Sequence, residues 1–210
     1  SLSLFYQAQA ENPTITATPA GDPIDLAAAK LLPADGIIFI AAHLSRAQTL
    51  TEWIDPSVLD EADPDKRDRE LDIYAADCPN VPPFKPDFVA RFRAAQIARN
   101  RKITAWCQDW LETLRKRGGS EIERAFVVHR TMCDVRWIDP AIDANGRKPN
   151  WCFLGDPRTV NVAPVGLARY SSLRSWLSQW SYDLSNANGP KNAALVKKAP
   201  VLQIENQADD

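Results

Sequence analysis

Four groups of side chains in this sequence stand where they could do chemistry. They are Asp209 with Asp210, His43 with Ser45 and Arg46, His129, and Trp176 with Arg174, Gln179 and Trp180. A carboxylate carried on a turn just past an apolar strand can orient an imidazole and balance the charge it gains during proton transfer. Asp209 and Asp210 follow the apolar run Ala199-Pro-Val-Leu-Gln-Ile204 closely enough for that role, and an ordinary turn aspartate is the competing role. His43 closes a second apolar run, Ile37-Ile-Phe-Ile-Ala-Ala-His, at the carboxyl end where open α/β sheets hold their ligands. It fits a substrate-pocket wall or a locally hydrogen-bonded histidine. Arg46 fits either the same pocket or a residue that caps and solvates the next segment, and Trp176 either a substrate wall or the packing face of a helix. His129 has no nucleophile paired with it in sequence and reads as structural.

The elements that must position these groups follow from hydrophobic spacing. Residues 1–11 predict a helix that stops at Asn12-Pro13. Residues 14–33, rich in Pro, Asp, Thr and Ala, predict a connector with one short helix begun by Asp25. Ile37 to Ile40 are consecutively apolar and include the β-branched Ile37, Ile38 and Ile40, which predicts a strand buried on both faces, as in a parallel sheet covered by helices. Residues 199–204 predict a second such strand, with Pro200 at its start where a missing N–H does least harm. The stretch between them exceeds any simple crossover and predicts an inserted, mostly helical subdomain. Its strongest helix runs from Asp87 to Arg117, after Pro86 and before Gly118-Gly119. Residues 125–131 predict a short strand, 170–180 another helix, and the acidic stretch 60–72 a solvated loop or helix face.

Composition bounds the function. With 45% apolar residues and seven tryptophans among 210, the chain can bury the core of a globular domain. A net charge of −2, with both signs mixed throughout, gives no footprint for nucleic acid or an anionic membrane, and no apolar run reaches the roughly 20 residues of a membrane span. The expected partner is a small-molecule substrate, with neither nucleic acid nor membrane. Cys78, Cys107, Cys133 and Cys152 lack metal-ligand spacing, so no metal is expected, and free thiols favour a cytoplasmic setting. The opening in mid-helix and the ending directly after a strand predict a piece of a longer chain.

The order of these elements resembles the second half of the α/β-hydrolase family, over nearly the whole chain. In that family an apolar-Pro-Val-Leu-x-Ile strand leads through a small-residue turn to the triad aspartate. Ala199-Pro-Val-Leu-Gln-Ile-Glu-Asn-Gln-Ala-Asp209-Asp210 is similar, with Asn206 where the family usually has Gly. The opening Ser-Leu-Ser-Leu-Phe-Tyr-Gln resembles the helix that leaves the nucleophile elbow. The resemblance implies an incomplete three-layer α/β fold with a parallel sheet, its core in residues 1–46 and 186–210 and a helical lid in 47–185. It implies a serine hydrolase acting on a carboxylic ester or related acyl compound, with no cofactor. Asp209 would be the triad acid, with Asp210 as fallback, and His43, Arg46 and Trp176 would line the substrate site. The nucleophile and the catalytic histidine would lie outside the chain, leaving the fragment inactive. A dehalogenase or epoxide hydrolase with an aspartate nucleophile, and a non-catalytic binding domain, are the alternatives.

Overall fold

A computed structural model of the chain describes residues 2–40, 45–120, 122–139, 141–142 and 168–205. The helices are α1 (Leu2–Glu11), α2 (Arg46–Trp53), α3 (Pro86–Arg117), α4 (Val135–Ile138), α5 (Leu173–Ser175) and α6 (Gly189–Leu195), with a π-helical turn at Trp176–Trp180. The strands are β1 (Ile37–Ile40), β2 (Val58–Asp60), β3 (Asp63–Arg67), β4 (Ala125–Val128), β5 (Arg169–Ser172) and β6 (Val201–Glu205). They pair two by two: β1 with β6, β2 with β3, and β4 with β5.

This arrangement corrects the fold expected from sequence. The described residues hold no three-layer α/β core; their β-structure is confined to two-stranded ladders among helices. The apolar run at Ile37–Ile40 is not buried on both faces either. Ile38 and Ile40 are 64% and 69% exposed, while Ile37 and Phe39 are half-buried. An unbroken apolar run satisfies a strand covered on one face as readily as on two, because strand side chains simply alternate between faces. β1 and β6 do run parallel, in the register Ile37 to Val201, Ile38 to Leu202 and Phe39 to Gln203, with an irregularity before Ile40 meets Glu205.

The chain divides into two compact units. The first comprises residues 1–49, 104–124 and 172–209. In it α1 packs against α6, and the Glu11 carboxylate closes the helix by accepting from the backbone N–H groups of Lys197, Lys198 and Ala199. The Gln7 amide and these three N–H groups hold the Glu11 carboxyl down to about 2. The second unit comprises residues 50–103, 125–171 and 210. Its apolar centre joins Leu71, Tyr74, Phe84, Phe88, Phe92, Cys133, Val135 and Ile138.

Helix α3 ends as its sequence predicts, since Gly118 and Gly119 adopt φ of 69° and 98°, a left-handed conformation that costs other residues a Cβ clash. Its buried stripe runs Phe88, Phe92, Gln96, Arg99 with Asn100, Ile103, Cys107 and Leu111, steps of three or four along one face. The middle of that stripe is polar. In the second unit Gln96 donates to the carbonyls of Glu52, Ile54 and Cys133, and Arg99 to those of Asp55 and His129. The helix thereby satisfies buried backbone groups that no strand or helix partner reaches.

Candidate functional site

The parallel register of β1 and β6 brings both strands to their carboxyl ends at one edge of the first unit, after Ile40 and after Glu205. His43, Asp209 and Asp210 lie outside the described residues. The chain is described again at Ser45, which is buried and fixes the start of α2. Its hydroxyl donates to the Ala187 carbonyl at 3.2 Å and accepts from the Gln48 N–H at 3.3 Å, and its backbone bridges Asn188. Asn188 in turn caps α6 by accepting from the Lys191 N–H. The segment that follows β1 is thus tied to the segment that precedes β6.

Arg46 opens α2 and is exposed. Its Nη1 donates to Gln179 Oε1 at 3.0 Å, and its guanidinium carbon lies 5.7 Å from the centre of the Trp180 ring. Both partners belong to the π-helical turn, whose wide loop is closed by the Ser181 N–H donating to the Trp176 carbonyl at 2.9 Å. Such turns add a residue to a helix and re-aim the side chains on it, which is why they gather at functional sites. Here the turn presents Gln179 and Trp180 to Arg46.

Trp176 stands differently. It is completely buried, and its indole N–H donates to Thr104 Oγ1 at 3.0 Å, while the Thr104 hydroxyl donates to Ser181 Oγ at 3.1 Å. This is a core side chain with its polar atom satisfied, the packing role open to it in sequence rather than the substrate wall. Arg174, on the same segment, is committed to Asp22 and to the Ile122 carbonyl, so it is a bridge within the first unit. The same bond lowers the Asp22 carboxyl below its ordinary value, with Arg115 adding to the effect.

In the second unit a serine, a histidine and an aspartate lie along one hydrogen-bonded chain, yet their wiring is not that of a triad. The Asp55 carboxylate accepts from Arg130 Nε and from the Ser57 N–H, a guanidinium and a backbone amide rather than an imidazole. Ser57 is fully buried and its hydroxyl has no partner; His129 Nδ1 is likewise buried without one. A nucleophile needs a base within hydrogen-bond reach and a path for substrate, and Ser57 has neither. Around Asp55 the second unit is instead held by ion pairs: Arg130 Nη2 to Asp72 at 2.9 Å and Arg67 Nε to Asp72 at 2.7 Å. Burial, reinforced by the charge of Asp55, pushes the Asp72 carboxyl above its ordinary value despite these two arginines. Sequence reasoning assigned Asp72 to a solvated stretch; the polar step in the buried stripe of α3 was the available sign of a charged interior.

Among the described residues no three His, Cys, Asp or Glu side chains gather as a metal site, and no helix is long and apolar enough to cross a membrane. No family model, curated protein or solved structure matches this chain.

Proposed function

We propose that this chain forms part of a serine hydrolase that cleaves a carboxylic ester or related acyl compound. The observation that carries the reading is the parallel pairing of β1 with β6, which ends both strands at one edge, with Asp209 four residues beyond the last residue of β6. In such an enzyme Asp209 orients the imidazole that takes the proton from the serine and stabilises the imidazolium that results, with Asp210 able to take the role if the turn is one residue longer. The serine and the histidine come from residues other than these 210, and Arg46 binds substrate beside them. The chain taken alone turns over no ester.

Two measurements on the full-length protein test this. A fluorophosphonate probe should label one serine, and Asp209→Asn should lower kcat for a short-chain chromogenic ester by about four orders of magnitude, the cost of leaving the imidazole in the wrong tautomer. Absence of a labelled serine, or full activity in a protein carrying both Asp209→Asn and Asp210→Asn, would remove the basis for the reading.

A further inference from the structure

We infer that the acyl compound bound at this edge carries a carboxylate of its own and that Arg46 is the side chain that receives it. This rests on the hydrolase reading for the identity of the compound, though the anion site itself stands on geometry. A guanidinium offers five N–H donors in a rigid fork, and Arg46 spends a donor on the neutral amide of Gln179 while its guanidinium carbon lies over the Trp180 ring, 5.7 Å from its centre. Neither contact neutralises its charge. Among the described residues Arg46 has no carboxylate within ion-pair distance, and α2 has no acidic residue in its first turn. Of the other arginines in the same unit, Arg115 and Arg174 pair with Asp22, Arg117 lies over Trp110, and Arg124 lies over Trp106 and Trp110.

The side chain therefore combines what selective carboxylate binding requires. It is exposed, so a ligand reaches it. It is held by one hydrogen bond and one ring contact, so less rotamer freedom remains to be lost when a bidentate pair forms. It is spared an internal anion that a ligand would have to displace. The Ser45 contacts that fix the start of α2 extend this preorganisation to the backbone, and the positive end of the α2 dipole adds a favourable field for negative charge.

The test compares two chromogenic esters of similar size in the full-length protein, 4-nitrophenyl butanoate and the mono-4-nitrophenyl ester of succinate. Arg46→Gln should lower the ratio of kcat/KM for the anionic over the neutral ester about tenfold, the scale of one charge-assisted hydrogen bond, and Arg46→Lys should recover part of it. An unchanged ratio would overturn the inference. If neither ester is turned over, the hydrolase reading fails, and the anion site is then judged by NMR titration with succinate. Saturable shifts of the Arg46 Nε–H and Trp180 indole resonances, lost in Arg46→Gln, would support the site; their absence in the wild type would refute it.

Discussion

At the scale of single residues, the charges that matter for folding in this chain are buried ones. Asp134 is completely buried in the second unit, where it accepts from Arg93 Nη2 at 2.8 Å and from Arg136 Nη2 at 2.6 Å, and its Oδ1 also caps α4 by accepting from the Arg136 N–H. Burial works against its charge, yet Arg93 and Arg136 outweigh burial and hold the carboxyl below its ordinary value. Removing it takes away the carboxylate that both guanidinium groups share, leaving Arg136 its pair with Glu52 and Arg93 its bonds to the neutral Glu52 carbonyl and Gln96 Oε1. Asp134→Ala should therefore cost about 3 kcal/mol, the lower end for breaking a buried pair because both arginines retain some solvent. Urea unfolding measures it directly, and a loss below about 1 kcal/mol, the size of an exposed pair, would show that the interior is wetter than its burial suggests.

At the scale of elements, what the sequence discloses depends on whether an element is defined by its own spacing or by its neighbours. Helix α3 was legible because its apolar steps, Pro86 and the paired glycines all agree. Strands β1, β4 and β6 were legible as extended segments, whereas the covering of β1 was not, since Ile37–Ile40 says nothing of which face meets another element. The helix expected from Asp25 appears as turns, with the Asp25 carboxylate accepting from the Ala27 and Ala28 N–H groups as a cap would. Residues 170–180 read as one helix but fold as a strand, a single α-turn and a π-turn. That change is written in the tertiary bonds of Thr104 and Ser181, which periodicity cannot register. Of the candidate site, Arg46 was legible as a solvating charge or pocket residue after the first apolar run, but its clamp by Gln179 and Trp180 was not. The π-turn depends on Trp176, so Trp176→Phe, which removes the indole N–H and leaves a void, should destabilise the chain by about 2 kcal/mol. Loss of the Arg46 contact with Trp180 in the same variant, read from the Trp180 indole resonance, would tie the core residue to the surface clamp; an unmoved resonance would separate them.

At the scale of the whole molecule, the first unit carries carboxylates that are lowered, whereas the second carries two that respond to acid in opposite senses. In the first, Glu11 and Asp22 are both lowered, so their contribution to stability is present above the ordinary carboxylate range and is lost as pH falls through their folded values, about 2 for Glu11. In the second, Asp134 behaves in the same way, but Asp72 is raised: its contribution is fully present below the ordinary value and is lost as pH rises through its folded value. Asp72 therefore offsets part of the gain that Asp134 brings between acid and neutral pH. Asp72→Asn keeps a hydrogen-bonding side chain beside Arg130 and Arg67 but removes the titration, so the variant's second unit should gain stability more steeply than the wild type from about pH 3 to 6, the window spanning the ordinary carboxylate values. Amide hydrogen exchange followed by mass spectrometry, with each pH corrected for intrinsic exchange, reads this for residues 86–103 and 125–139 separately from the first unit. A shallower dependence in Asp72→Asn would mean that Arg130 and Arg67 dominate over burial and Asp55, and that the carboxylate at position 72 stabilises the fold when charged.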